Sequence, residues 1–159
     1  MTSKVFPRCP AHGYCVGMRV HDVLKRKGHD VVVVSPDATV ADLLQLLVTN
    51  RIGSVVVVDN GRPIGLVAER NIISALAQAD DDVRQHPVSE VMDTDLHVAG
   101  LDDDTADLAA VMTEFRIRHL PVVSDDGSLL AIVSIGDVVK ARLDSLTDER
   151  DHLINYVQQ

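Results

Sequence analysis

The sequence predicts an α+β fold in which two strand–helix–strand–strand–helix units pack as a pair about a pseudo-twofold axis. The first observation is an internal repeat: the motif DATVADLL, which begins at Asp37, returns as DDDTADLA at Asp102. The second is composition, because 46% of the 159 residues are hydrophobic, only 3% are aromatic and none is Trp. The core must therefore consist of Val, Leu, Ile and Ala, and the valine runs favour β-strands. One unit alone would bury too little surface, so the two must pack together.

The similarity between the two halves of the chain covers six successive segments in the same order. The matching pairs are 20–24 and 88–92, 37–44 and 102–109, 51–58 and 116–123, 59–63 and 125–128, 64–68 and 130–134, and 70–77 and 136–143. Differences in length between the halves fall at turns and connections, where chains tolerate insertions. Duplication of one structural unit explains this pattern.

Each unit contains two predicted helices. The first helix of each follows a potential cap residue and has apolar residues at helical spacing. These apolar residues are Val40, Leu43, Leu44, Leu47 and Val48 in the first unit, and Leu108, Ala109, Val111, Met112 and Phe115 in the second. The last matching segments, 70–77 and 136–143, predict the second helix of each unit.

Two apolar runs in each unit flank a short turn and predict a β-hairpin. The turns contain Asn60-Gly61 in the first unit and Asp126-Gly127 in the second. Both dipeptides are strong hairpin signals when they lie between apolar runs, since their residues accept the backbone conformation that tight turns need. The hairpins supply the second and third strands of the units.

These patterns divide the chain into five parts. The predicted parts are residues 1–17 as a leader without regular structure, 18–78 as the first repeat, 79–87 as a polar linker, 88–143 as the second repeat and 144–159 as a C-terminal helix. The last part has a broken apolar stripe. The residues of this stripe are Leu146, Leu153, Ile154 and Val157. The stripe fits either self-association or packing back onto the fold.

The leader contains three potential metal ligands, Cys9, His12 and Cys15. They could form part of a zinc site, but a closed site needs a fourth ligand and the chain has only two cysteines. We expect no metal and a leader that is dispensable for folding and binding. The biological role of these three residues does not follow from the sequence.

The charge balance bears on the class of partner. The formal net charge of −9 repels nucleic acid and anionic lipid, and the triplet Lys25-Arg26-Lys27 is too short for a nucleic-acid footprint. We expect that triplet to be a solvated face. No apolar stretch has the length of a membrane span, and residues 1–17 lack the apolar segment of a signal peptide. We therefore expect a cytoplasmic protein with reduced cysteines and no nucleic-acid or membrane partner.

Several motifs of the repeats resemble the CBS domain, named for cystathionine β-synthase, in its tandem form. They are the helix start DATVADL, the strand motif RHLPVV at 118–123 and the strand–helix motif SIGDVVKARL at 134–143. The motif LKRKG at 24–28 is similar to the opening of small bacterial stand-alone CBS pairs. The resemblance covers residues 19–143. It implies two clefts between the repeats that bind AMP, ADP, ATP, S-adenosylmethionine or a dinucleotide, and dimerisation into a flat disc.

The resemblance assigns the second-repeat cleft to Ser134 and Asp137. A helix N-terminus favours anions, so Ser134 would contact a phosphate while the Asp137 carboxylate accepts the ribose hydroxyls. On residue type alone, both could simply cap the helix. Arg118 and His119 would bind the phosphates, whereas Arg116 could instead form a salt bridge. The implied base pocket of this cleft consists of Gly28, Asp30, Val31, Val32, Ile52, Gly53 and Ser54.

The first-repeat cleft departs from the family motif. Ala68 and Asn71 stand where the second repeat has Ser134 and Asp137, so this cleft lacks the hydroxyl and the carboxylate. We expect it to bind ligand more weakly or to hold a different one, such as part of a dinucleotide. Its implied residues are Asn71, Leu96, His97, Ile117 and Pro121.

The resulting hypothesis is an adenine-nucleotide-binding regulatory or energy-sensing module without catalysis, with AMP as its ligand and the homodimer as its assembly. The alternatives are a binder of NAD(H) or S-adenosylmethionine, and a protein-interaction scaffold without ligand. No arrangement of Ser, His and Asp, or of Cys and His, predicts an enzyme. The sequence does not indicate which protein such a module would regulate.

Overall fold

A computed structural model describes residues 4–5, 17–79 and 81–157 of the chain. Its elements follow the predicted repeat, with a short helix added at the start of each unit. They are β1 (Lys4–Val5), α1 (Val20–Lys27), β2 (Val33–Val34), α2 (Val40–Asn50), β3 (Ser54–Asp59), β4 (Arg62–Ala68), α3 (Glu69–Gln78), α4 (Val88–Val91), β5 (His97–Val98), α5 (Thr105–Glu114), β6 (His119–Val123), β7 (Leu129–Ser134) and α6 (Ile135–Val157). The predicted α+β fold with two like units is confirmed.

The predicted cap residues begin the first long helix of each unit. Before α2, the Thr39 hydroxyl accepts a hydrogen bond from the Asp42 backbone N–H at 3.1 Å, and the Asp42 carboxylate accepts one from the Thr39 N–H at 3.2 Å. Before α5, the Asp104 carboxylate accepts from the Ala106 N–H at 2.7 Å. Each cap satisfies backbone donors that the helix leaves free, and is worth about 1 kcal/mol.

The strands form one small sheet in each unit. In the first, β2 pairs in parallel with β3, which pairs antiparallel with β4. In the second, β6 pairs antiparallel with β7, and Ala99, directly after β5, bridges in parallel to Val122. The turn between β3 and β4 has positive φ at Asn60 (49°) and Gly61 (78°), as tight hairpins require. β1 pairs in parallel with β5, and it lies in the segment expected to lack regular structure.

Two hydrophobic cores form, and each contains the helix that begins the other unit. Val20 and Leu24 of α1 pack in the core of the second unit, with Leu108, Leu120 and Val133. Conversely, Val88 of α4 and Val83 of the linker pack in the core of the first unit. Full burial of each such side chain stabilises the fold by about 1.5–3 kcal/mol. The repeats therefore exchange their lead-in helices, which fixes one unit on the other.

Gly65 of β4 permits a close approach between the first sheet and the chain that leaves α4. The backbone of Asp93 exchanges two hydrogen bonds with Leu66, at 2.9 and 3.0 Å. A Cβ atom at Gly65 would lie 2.6 Å from Met92 Sδ and 3.1 Å from the Asp93 carbonyl oxygen. A larger residue at this position must therefore displace the crossing chain.

The C-terminal helix is the continuation of the last helix of the second unit. α6 runs without a break from Ile135 to Val157, across the boundary expected after Leu143. Three of its apolar side chains, Val139, Leu143 and Leu146, are exposed and lie at helical spacing on one face. The candidate zinc ligands Cys9, His12 and Cys15 lie outside the described residues.

Candidate functional site

The second-repeat cleft is built where β7 passes into α6. Ser134 is the last residue of β7, and Asp137 lies in the first turn of α6. Oδ2 of Asp137 accepts hydrogen bonds from the Ser134 backbone N–H and hydroxyl, both at 2.8 Å. The Asp137 N–H in turn donates to the Ser134 hydroxyl at 3.2 Å. The capping role that residue type suggested is thus present, and it also holds both side chains at the helix N-terminus.

Lys27, the last residue of α1, completes this group. Its Nζ lies 2.5 Å from Oδ2 of Asp137 and donates to the Ile132 carbonyl oxygen at 3.0 Å. Lys27 reaches the second unit because α1 packs in that unit's core. Lys25, Arg26 and Lys27 are all exposed, as expected for a solvated face, but Lys27 also pairs with Asp137 and Arg26 with Asp144, at 2.8 Å for the second pair.

The ionisation of the site follows from these contacts. Burial acts to raise the pKa of Asp137, but the hydrogen bonds from Lys27 and Ser134 outweigh it, so the pKa is lower than usual. Burial, reinforced by the charges of Arg118 and Lys27, lowers the pKa of His119, while Asp137 acts in the opposite direction. At neutral pH Asp137 is therefore a carboxylate and His119 an uncharged imidazole.

A cavity of about 170 Å³ lies between α1 and α6, beside Lys27 and Asp137. Its lining contains three basic and two acidic side chains together with small apolar ones. The lining residues are Met18, Val23, Arg26, Lys27, Asp137, Lys140, Ala141 and Asp144. The site thus opens onto a space with a net positive lining, although the chain as a whole is strongly acidic.

The base-pocket residues implied for this cleft come from two connections. Gly28 ends α1 with a φ of 92°, and Asp30, Val31 and Val32 lead from there to β2. Because Gly28 follows Lys27, this connection starts at the site.

The second connection, Ile52 and Gly53, lies between α2 and β3. The residues of neither connection line the cavity beside Asp137. Ser54 begins β3 and is 5% exposed, and its hydroxyl has no hydrogen-bond partner among the described residues.

The first-repeat cleft contains a small cavity of about 20 Å³, with room for about one water molecule. Four of the five residues implied for this cleft line it, namely Asn71, Leu96, His97 and Ile117. The fifth, Pro121, lies within β6, where its carbonyl accepts a hydrogen bond from Ala99 N–H at 2.9 Å. Leu66, Arg70, Asp93, Asp95 and His119 complete the lining. A nucleotide could enter only if the cavity widened.

Two further residues, His119 and Arg70, give this cleft a different lining from the one expected. His119 was expected in the second-repeat cleft, but it lines this cavity while Lys27 and Asp137 still act on its pKa. It therefore lies between the two sites. Arg70, which the sequence reasoning missed, donates to the Arg116 carbonyl oxygen at 3.2 Å. Its position next to Asn71 in the first turn of α3 was the available signal.

The asymmetry at the two helix starts is as the sequence implied. Asn71 Oδ1 accepts a hydrogen bond from the Ala68 N–H at 2.9 Å, so it caps α3 as Asp137 caps α6. The Ala68 position supplies no hydroxyl, and Asn71 carries no charge. Only the second-repeat cleft combines a hydroxyl, a carboxylate and an ammonium.

A comparison with protein-family models matches the CBS domain twice, at residues 20–78 and 88–144. These are the two units just described. The chain belongs to the CBS-domain family. The resemblance of the repeat motifs to CBS pairs is therefore confirmed.

Individual relatives agree with this assignment. The CBS domain-containing protein YhcV of Bacillus subtilis is 35% identical over 109 residues, which are 68% of this chain and 76% of the relative. The crystal structure of the CBS-domain protein ATU1752 of Agrobacterium tumefaciens is 40% identical, with a TM-score of 0.72 over 78% of this chain and 98% of that one. The structure of the CBS domain protein PAE2072 of Pyrobaculum aerophilum, complexed with AMP, is 29% identical in sequence. Its TM-score is 0.67, and the match covers 76% of this chain and 89% of that one.

Two further properties of this CBS pair concern the described residues alone. None of their helices combines the length and apolar character that a membrane crossing requires. Within the same ranges, no group of three or more His, Cys, Asp or Glu side chains is placed to hold a metal ion.

Proposed function

We propose that this CBS pair is a regulatory module without catalysis, and that it binds an adenine nucleotide, AMP, in the second-repeat cleft. The observation that carries this proposal is the arrangement of Ser134, Asp137 and Lys27 around the start of α6. One group supplies a hydroxyl, one a carboxylate and one a cation, and Asp137 Oδ2 joins them by hydrogen bonds of 2.5–2.8 Å. A solved relative that is 29% identical is complexed with AMP, which supports the same ligand class.

Each part of AMP has a chemical counterpart in this arrangement. A ribose diol has two donors, and Asp137 keeps Oδ1 for them because the hydrogen bonds described above all use Oδ2. A phosphate favours the positive end of the α6 dipole, where the Ile135 and Asp137 N–H groups already donate to the Arg118 carbonyl oxygen and the Ser134 hydroxyl. Arg118, in the connection before β6, is the proposed second cation for the phosphate. The connection from Gly28 towards β2 is the proposed wall of the adenine pocket.

The placement of these groups also suggests how binding is transmitted. Lys27 belongs to α1 and Asp137 to α6, so the two partners come from different repeats. A ligand that contacts both changes the free energy of the interface between the repeats. Regulation of a partner protein by such a shift is the proposed output.

We further propose that the protein acts as a homodimer in the cytoplasm. The exposed stripe of Val139, Leu143 and Leu146 on α6 is apolar and lies on one face of a long helix. A second copy of the same helix would cover it symmetrically. A stable interface of this kind buries on the order of 1,000 Å² or more.

A thermal-shift panel of adenosine compounds tests the proposed ligand class. A ligand that binds only the folded state raises the melting temperature, so AMP should raise it in a concentration-dependent way. A panel in which no adenosine compound shifts the transition would instead favour the scaffold without ligand.

Calorimetry on two variants then tests the site. Asp137→Ala removes a charge-assisted contact worth roughly 1.5–3 kcal/mol, so AMP affinity should fall by about ten- to a hundredfold. Asn71→Ala is the matched control, because it truncates the equivalent residue of the other cleft and should cost less. Wild-type affinity in the Asp137 variant would show that the site assignment is wrong.

A further inference from the structure

The Lys27 ammonium group has one N–H donor that its contacts within the protein do not use. An ammonium group has three N–H donors, and Nζ uses two of them, towards Oδ2 of Asp137 and the carbonyl oxygen of Ile132. The Lys27 side chain is 33% exposed, so the third donor can face a ligand. This donor lies next to the carboxylate that is the proposed ribose contact.

The other cleft has no cation at the equivalent place. There, the backbone of Asp93 forms an antiparallel bridge with Leu66, whose position in β4 matches that of Ile132 in β7. The Asp93 N–H donates to the Leu66 carbonyl at 2.9 Å, just as Lys27 Nζ donates to the Ile132 carbonyl. A charged amine thus replaces a neutral backbone amide. This difference makes Lys27 a feature of the second-repeat cleft alone.

The surroundings of Lys27 leave excess positive charge at the site. In the cavity between α1 and α6, Arg26 pairs with Asp144 at 2.8 Å and Lys27 with Asp137 at 2.5 Å. Lys140 lines the same cavity, and within the described residues no carboxylate lies at ion-pair distance from it. The three basic groups therefore exceed the two acidic groups by one charge. An anionic ligand gains from this excess, whereas a cationic ligand does not.

We propose that Lys27 determines ligand specificity by donating its third N–H to a phosphoryl oxygen, so that the cleft selects phosphorylated adenosine ligands over adenosine and S-adenosylmethionine. This inference rests on the proposed function, because it concerns the same cleft. Asp137 recognises the ribose that all these compounds share. Lys27 distinguishes them by the charge of the group on the ribose.

The test is the ratio of adenosine affinity to AMP affinity, measured by calorimetry in the wild type and in Lys27→Met. One charge-assisted hydrogen bond corresponds to about ten- to a hundredfold in affinity, so Lys27 should contribute about that factor to the wild-type preference for AMP. Lys27→Met should remove this factor mainly by weakening AMP binding, while the proposed contacts of the phosphate with Arg118 and the α6 N-terminus remain, and should improve binding of S-adenosylmethionine relative to AMP. Lys25→Met is the matched control, since Lys25 lies on the same helix, contacts Asp22 at 3.7 Å and should leave the ratio unchanged.

The outcomes separate the two proposals. If the wild type binds AMP and Lys27→Met keeps the wild-type ratio, Lys27 does not select the ligand, while the proposed function stands. If the wild type binds no adenosine compound, the proposed function fails and this inference fails with it. Melting curves show whether Lys27→Met is folded, and Lys27→Gln replaces it as the neutral variant if it is not. Lys27→Arg keeps the charge and should retain the preference for AMP, and its loss would count against a role for the charge.

Discussion

Truncation of Asp137 should destabilise the ligand-free protein, and more so than truncation of its counterpart Asn71. The Asp137 carboxylate holds together three groups, namely the Ser134 N–H, the Ser134 hydroxyl and the Lys27 ammonium. Asn71 accepts one hydrogen bond, from the Ala68 N–H. Asp137→Ala therefore removes a cap and an ion pair, whereas Asn71→Ala removes a cap alone.

The magnitude follows from these contacts. Loss of a helix cap costs about 1 kcal/mol. The ion pair is partly exposed, with Lys27 at 33% and Asp137 at 23%, so its contribution is discounted to about 1 kcal/mol. The free energy of unfolding should thus fall by about 2 kcal/mol in Asp137→Ala and by about 1 kcal/mol in Asn71→Ala. In a chain of this size, 1 kcal/mol corresponds to about 2–4 °C in melting temperature, so the expected losses are about 4–8 °C and 2–4 °C.

Thermal unfolding followed by circular dichroism, without nucleotide, measures both losses. Because the pKa of Asp137 is lower in the folded protein, its contribution is present above the unfolded pKa of about 4 and is lost as pH falls through the folded pKa. The difference between wild type and Asp137→Ala should therefore shrink below pH 4. Equal losses in the two variants at neutral pH would refute the reasoning, as would a difference that grows on acidification.

Three further predictions concern the rest of the fold. The pKa of His119 is lowered in the folded protein, so the stability that it contributes is lost as pH falls below about 6.5. Acidification from about pH 7 to about pH 5.5 should therefore lower the melting temperature less in His119→Gln than in the wild type. Equal decreases in melting temperature would contradict this. Gly65→Ala should cost about 1–3 kcal/mol in denaturant unfolding, since its Cβ meets the crossing chain, whereas Gly100→Ala, whose Cβ lies 3.8 Å from its nearest neighbour, should be near neutral. Light scattering at micromolar concentration should show that the wild type is a dimer and that the double variant Val139→Glu, Leu143→Glu is a monomer. A monomeric wild type would refute the proposed interface on α6.

The repeat, its helices and its hairpins could be predicted because their signals are local. The helix cap at Thr39 needs only a side chain within three residues of its partner, and the turn at Asn60-Gly61 needs only two residues that accept positive φ. The motif shared by Ser134 and Asp137 is equally local, since both residues lie at one helix start. The chemical difference between this site and the Ala68/Asn71 site was therefore visible in the sequence.

The composition of the site could not be predicted in the same way. Lys27 lies far from Asp137 in the sequence, and nothing in the triplet Lys25-Arg26-Lys27 distinguishes it from a solvated face. Similarly, Arg70 and His119 line one cavity only because elements of both units meet there. Contacts of this kind depend on distances in the folded structure, which residue type and spacing along the sequence do not determine.

The sequence by itself determined that the chain has two similar α+β units. It also determined which residues form their helices and hairpins and which residues cap the helices. The tertiary structure decided which core each lead-in helix joins. The segments 20–24 and 88–92 are similar in pattern, so either could cover either apolar surface, and shape complementarity of whole cores selects the arrangement. Because α1 packs in the second core, Lys27 lies 2.5 Å from Asp137. Non-local packing, which local patterns do not encode, thus places a cation beside the candidate ribose carboxylate.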